Sequence, residues 1–280
     1  MFGWLKPKKQ EQLPPAQTAE IEHFDDPSPV LTLFTSLTGI NFNQKEAVTT
    51  SKLIHFCRNR NIHSFETLYQ RLVSEPMLLE ALINALTVNE TYFFREMGQI
   101  HFLCDRFSTL KRPFRILCAP GSTGEEPYTL AISLLEKGIP PANIEIISID
   151  INSETVRKAI DGYYTHRSLH KCSEAIKSCY FEKSDERHYR IKANVKSLVS
   201  FYQMNIFDDS LFSLGRFDAV FSRNMLIYFD LEISQKAISR LSKLAADKET
   251  LFFFGHADII QPPKDLCEHY LNSVKFYTLA

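Results

Sequence analysis

The chain has 280 residues, 44% of them hydrophobic and 23% charged, with a formal net charge of -1. That length supports one sizeable core plus a smaller module, and that hydrophobic share excludes disorder over the whole chain. The charge balance gives no long-range pull on nucleic acid or an anionic membrane, so no nucleic-acid partner is expected.

Residues 1–28 hold Pro7, Pro14, Pro15, Pro27, Lys8 and Lys9 among few periodic apolar positions, and are expected to form a disordered tail. The opening MFGWLKPKKQ lacks the apolar centre of a signal peptide, and no apolar run approaches the roughly 18 residues of a membrane span. Six cysteines without CxxC spacing point to free thiols in a reducing compartment. A cytoplasmic monomer without membrane insertion is expected.

From 29 to 108 the apolar spacing is helical: Leu53, Ile54 and Phe56, then Leu68 and Leu72, then Leu78, Leu79, Leu82, Ile83 and Leu86 after Pro76. This predicts a small helical domain. From 109 to 280 short apolar runs alternate with amphipathic segments: FRILCA, a helix opened by Pro127, IEIISID, a helix near 153–160, FDAVFS, a helix near 231–245, and TLFFF. Such alternation predicts an α/β domain with a parallel sheet wrapped by helices. RHYRIKANVKSLVSFYQM alternates with period two around Ala193 and Asn194, which predicts a hairpin, at about 180–203, inserted in the sheet domain or leading back into it.

In open α/β sheets ligands lie beyond the carboxyl ends of the strands. The first such loop reads APGSTGEEPYTLAI, which is neither a GxGxxG fingerprint nor a P-loop. Glu125 and Glu126 at the helix start would repel a pyrophosphate; alternatively they simply complement the helix dipole. Asp150 ends the second strand, where an acid commonly binds ribose hydroxyls, though it could equally be a helix cap. Together the acids describe a nucleoside ligand with ribose, positive charge and no phosphate. S-adenosylmethionine meets that description; NAD and ATP do not. After FDAVFS come Arg223, Asn224 and Tyr228, and after VSFYQM come Asn205 and Ile206, an amide beside an apolar residue that could grip and cover an adenine. Solvated loop residues and a core tyrosine are the plainer alternative.

NETYFFRE (89–96), STGEEPYTLAI, SID, FDAVFSRNMLIYFD and FFFGHAD, in this order and spacing, resemble the CheR-type chemoreceptor glutamate methyltransferases of bacterial chemotaxis over about residues 30–280. The resemblance implies a Rossmann-like S-adenosylmethionine methyltransferase domain, a small N-terminal all-helical domain and an inserted β-subdomain. It implies methyl transfer to glutamates on chemoreceptor cytoplasmic helices. Its cofactor contacts fall on Asn89, Thr91, Arg95, Glu126, Asp150, Asn205, Ile206, Arg223 and Asn224, with Arg95 and Tyr228 as catalytic residues and NETYFFRE as a lid anchored by Phe93 and Phe94. Two departures are visible: Ser222 replaces a cysteine often seen before Arg-Asn, and GHAD replaces the more usual GHSE.

A glutamate acceptor, with a pKa near 4.3, is already ionised at neutral pH, so alignment rather than a general base is what the site must provide. His166 and His170 have the i, i+4 spacing of a metal pair but no evident third ligand, and no metal is expected. The rivals are a non-catalytic S-adenosylmethionine-sensing adaptor and a methyltransferase acting on a different protein or a small molecule.

Overall fold

The computed structural model describes residues 22–42, 46–259, 261 and 263–280. The expected tail therefore lies outside the described residues except for 22–28, and Lys45 lies outside them too. Four helices come first: α1 (Ser28–Thr38), α2 (Glu46–Arg58), α3 (Phe65–Ser74) and α4 (Pro76–Leu86). Their stops and starts follow local chemistry. Gly39 ends α1 in the left-handed region at φ 76°, Ser64 caps α3 by accepting Thr67 N–H at 3.0 Å, and Pro76 opens α4. Their apolar stripes meet in one core containing Phe34, Leu53, Phe56, Leu68 and Leu82.

The next helix, α5 (Met97–Phe107), corrects the expected domain boundary at 108. Ile100, Leu103 and Phe107 of α5 pack into the core of the sheet domain, not into that of α1–α4. Helical periodicity announces a helix but not which core its stripe enters, so the break falls between α4 and the 89–96 segment.

The sheet domain runs β1 (Phe114–Cys118), α6 (Glu125–Glu136), β2 (Ile144–Asp150), α7 (Ser153–Asp161), β3 (Tyr163–Thr165), α8 (Glu174–Tyr180), β4 (Phe181–Lys183), β5 (His188–Ile191), α9 (Ala193–Lys196), β6 (Val199–Gln203), β7 (Ala219–Ser222), α10 (Leu231–Ser242), β8 (Leu251–Phe254), β9 (Leu266–Leu271) and β10 (Val274–Leu279). Seven strands form the main sheet in the order β6-β2-β1-β7-β8-β10-β9. The first five are parallel and β10 and β9 antiparallel. The parallel strands are near-continuous apolar runs because helices cover both faces, with one buried cluster on each side. Among the described residues no helix is long and apolar enough to cross a membrane.

The expected hairpin at 180–203 is corrected. Ala193–Lys196 is a short helix, not a turn, and the strands on either side of it belong to different sheets: β5 pairs with β3 and β4 in a separate three-stranded sheet, whereas β6 pairs with β2. Alternation runs unbroken through both strands, so periodicity alone does not show the change of sheet. The fully buried Val195 pins α9 in the core and separates them. The inserted sheet thus begins at β3 and ends at β5.

That insert holds the 89–96 segment. Phe93 is fully buried, its ring meets Tyr164 and Phe181 edge-on at 4.7 and 5.1 Å, and its N–H donates to Ser168 O at 2.9 Å. Burying a phenylalanine contributes about 1.5–3 kcal/mol. Phe94, at φ 60°, donates its N–H to Thr129 Oγ1 of α6 at 3.1 Å. The segment is fastened at two adjacent residues, and Arg95 follows directly.

Candidate active site

The carboxyl ends of β2, β1 and β7 converge where the strand order reverses, the position at which α/β sheets bind ligands. The loop after β1 lies hard against β2: a Cβ on Gly121 would stand 1.8 Å from Ser148 Oγ, so glycine alone fits there. This approach brings Ser122 N–H within 2.9 Å of Asp150 Oδ2, while Asp150 Oδ1 accepts Asn152 N–H at 2.9 Å. Burial pushes the Asp150 carboxyl above its ordinary value and these N–H groups oppose it.

Glu126, in the first turn of α6, gives one oxygen to Arg223 Nε. Its other oxygen, Oε1, is buried and, like Ser122 Oγ, has no partner among the described residues. Burial raises the Glu126 carboxyl, against the pull of Arg223. Arg223 itself is buried. Its Nη1 donates to Glu96 O at 3.0 Å and its Nη2 to Arg95 O at 3.1 Å. The guanidinium expected to touch cofactor is thus turned onto protein: it neutralises Glu126 and grips two successive carbonyls, those of Arg95 and Glu96, at the end of the 89–96 segment.

Two adjoining cavities lie here. The smaller, about 70 Å³, is lined by Asn89, Thr91, Arg95, Ser122, Glu126 and Arg223. The larger, about 510 Å³, is lined by Asn205, Ile206 and Tyr228 and, from the helical domain, by Ile40, Phe42 and Lys52. Asn89, Asp150 and Asn224 border both. Every site residue singled out from the sequence therefore borders one cavity or the other. Asn205 has part of its amide committed: Nδ2 donates to Leu37 O at 2.8 Å and Oδ1 accepts Phe207 N–H at 3.0 Å. It latches the end of α1 to the sheet domain, as does Asn41 N–H to Tyr228 O at 2.8 Å.

Arg95 Nη1 donates to Glu90 O at 3.1 Å and its side chain keeps about a quarter of its surface exposed, 27%. Its charge acts on both Glu126 and the Tyr228 phenol. Burial raises the phenol pKa and Arg95 draws it down, with burial the larger effect, so Tyr228 stays protonated at neutral pH.

Sequence reasoning missed Ser122 and the helical-domain residues Ile40 and Phe42. Ser122 had a signal, a small polar residue between the glycines of PGSTG. Ile40 and Phe42 had none, since the domain seam that brings them in is set by tertiary packing.

The site fits S-adenosylmethionine. The unpartnered Glu126 Oε1 would accept from an ammonium, Asp150 would face ribose hydroxyls, and Ile206 would cover the base. Family comparison agrees. The CheR methyltransferase SAM binding domain matches residues 89–275, and the CheR methyltransferase all-alpha domain matches 28–87. A chemotaxis protein methyltransferase of Campylobacter jejuni is 34% identical over 228 residues, covering 81% of this chain and 86% of that protein. Chemotaxis protein methyltransferase 2 of Pseudomonas aeruginosa is 33% identical over 230 residues, 79% of this chain and 82% of that protein. The Escherichia coli chemotaxis protein methyltransferase is 33% identical over 183 residues, 64% of each. The chain belongs to the CheR methyltransferase family, and S-adenosylmethionine is its cofactor.

Proposed function

We propose that this chain is a protein-glutamate O-methyltransferase, esterifying glutamate side chains on the cytoplasmic helices of chemoreceptors during sensory adaptation. The observation that carries this reading is a site with a cation and a protonated phenol, Arg95 and Tyr228, and, among the described residues, no histidine or cysteine to take a proton from the acceptor. Of the lining carboxylates, Asp150 has an N–H on each oxygen, Glu126 is paired with Arg223 and Asp230 accepts Ile233 N–H at 2.9 Å, which leaves Glu90 at the rim. A hydroxyl or amine acceptor would have to lose a proton; a carboxylate would not. The names of the relatives support the chemoreceptor as acceptor.

When bound, S-adenosylmethionine supplies an electrophilic methyl carbon. The protein's residues align the acceptor with it. Glu126 and Asp150 hold the two polar ends of the cofactor. Arg95 docks the acceptor carboxylate through one oxygen and leaves the other free to attack, which a planar fork does better than a mobile ammonium. Tyr228 lines the methyl path and excludes water. Phe93 and Arg223 keep Arg95 in place.

The test is incubation with methyl-labelled S-adenosylmethionine and receptor cytoplasmic fragments. Label released as methanol by mild base, and absent from fragments whose acceptor glutamates are changed to glutamine, is the expected result. Base-stable label would mean a different acceptor; tight cofactor binding without transfer would mean the adaptor.

Receptor docking yields a smaller prediction. The sequence suggests a basic helical face from Lys45, Lys52 and His55, with Arg58 and Arg60 near the carboxyl end of that helix. In the structure Arg58 forks onto Glu22 at 2.7 Å, Arg60 lies over the Phe56 ring at 3.9 Å, and His55 Nε2 meets the Asn59 amide at 3.0 Å. Lys52 borders the larger cavity. Lys52→Glu is therefore expected to lower kcat/KM for receptor about three- to tenfold at low ionic strength, with the loss shrinking in high salt. A loss that does not depend on salt would assign Lys52 to the site itself instead of to docking.

A further inference from the structure

The FFFGHAD motif runs off the end of β8 beside the site, and its last residue is an acid that none of the roles above uses. Asp258 is only 4% exposed. Its Oδ2 accepts the N–H of Asn224 at 2.6 Å and that of Gly255 at 2.7 Å, and its Oδ1 accepts the N–H of Ile227 at 3.2 Å. These partners are backbone dipoles, not a cation, so the carboxylate sits in a nest of N–H groups. Two local features make the nest. Asn224 is left-handed at φ 60°, which turns its N–H out of the β7 strand direction. Gly255 leaves the space: a Cβ there would lie 2.6 Å from Asp258 Oδ2 and 3.0 Å from Asn224 N.

The carboxylate thereby ties the loop after β8 to the loop after β7. The tied backbone runs from Asn224, which borders both cavities, to Ile227, next to Tyr228. With the acid removed, the part-buried N–H groups of Asn224 and Ile227 and the buried N–H of Gly255 would lose their shared acceptor, and with it the tie between the two loops.

We infer that Asp258 is a positioning residue for methyl transfer: by holding three backbone N–H groups it sets where Asn224 meets the cofactor and where Tyr228 stands. The inference rests on these cavities being the methyl-transfer site.

Calorimetric binding of S-adenosylhomocysteine, with thermal unfolding alongside, tests it without requiring the acceptor to be known. Asp258→Asn keeps the shape but offers one acceptor oxygen and turns an NH₂ toward N–H groups. It is expected to raise Kd about tenfold, and Asn224→Ala to raise it comparably. If Asp258 acts through Asn224, the double variant binds no worse than about twofold beyond the weaker single one, because contacting residues are non-additive. Gly255→Ala keeps the charge and wedges the same seam open, and carries the test with the same thresholds if Asp258→Asn does not fold. Wild-type affinity in a folded variant, or additive losses in the double variant, overturns the inference, since a purely structural acid would shift the melting temperature and leave the coupling absent. A wild-type protein that binds S-adenosylhomocysteine but esterifies no receptor would overturn the proposed function, whereas the coupling of Asp258 to Asn224 in cofactor binding is read independently of that result.

Discussion

Arg95→Ala is expected to lower methyl transfer on the order of a hundredfold or more while changing the melting temperature by only a few degrees. The side chain is partly exposed, and its hydrogen bond goes to one backbone carbonyl, that of Glu90, so folding loses little. The anchors of the segment do not depend on it. Phe93 is held by its ring contacts, and Arg223 grips the Arg95 carbonyl oxygen, which alanine keeps. What disappears is the fork that orients the acceptor carboxylate. Arg95→Lys should recover little, because a point charge on a flexible stem neither fixes the plane of the carboxylate nor keeps one oxygen free. Cofactor affinity should fall less than about tenfold, since Glu126 and Asp150 remain. Steady-state kinetics on receptor fragments together with calorimetry would separate these effects; near-wild-type turnover in the folded alanine variant removes Arg95 from the mechanism.

Much of this arrangement was legible in the chain. The alternation of apolar runs and amphipathic segments after Pro113 marked the strands that flank the crevice, and acids at two successive strand ends, Glu126 and Asp150, marked its floor. Local rules sufficed there because glycine, proline and caps act over a few residues. Three things were not legible. The allegiance of α5 depends on which core its stripe meets, and the change of sheet between β5 and β6 is hidden by continuous alternation. The closing pair β9 and β10 was overlooked because CEHYLNSVKFYTL does not alternate, Glu268-His269, Tyr270-Leu271 and Phe276-Tyr277 being like neighbours; its turn is made by Asn272 and Ser273, which stand at φ 52° and 63°. That left-handed pair is what a tight hairpin turn requires, but an Asn-Ser pair without flanking alternation does not announce one. Arg223 illustrates a different limit. Its position beside the site was apparent, but that its guanidinium faces inward, onto Glu126 and the backbone of the 89–96 segment, follows only from packing.

Arg223 also makes Glu126 the most sensitive acid of the site. Glu126→Ala is expected to weaken S-adenosylhomocysteine binding about ten- to hundredfold, through loss of a charge-assisted contact to the ammonium. It is also expected to lower unfolding free energy by about 3–5 kcal/mol, because it leaves a buried guanidinium without its carboxylate. Glu96, whose carboxylate lies 3.9 Å from Arg223 Nη1, compensates in part and places the cost toward the lower figure. Asp150→Ala removes no counterion; it should weaken binding and cost stability only through the Ser122 and Asn152 N–H groups it leaves without an acceptor. The pH dependence separates the two roles of Glu126. Burial holds its carboxyl above the ordinary 4.5 in the folded protein, so proton linkage through Glu126 lowers ligand-free stability as pH rises from about 4.5 through the folded value; above that window, with Glu126 ionised, its pairing with Arg223 is what the alanine variant removes. A bound ammonium favours the ionised form, so ligand affinity rises over that same window. In Glu126→Gln, which cannot ionise, that component of the rise disappears while the Asp150 component stays. Calorimetry from about pH 4.5 upward on both proteins checks this, and an unaltered pH profile in Glu126→Gln would show that the ligand's ammonium does not meet Glu126.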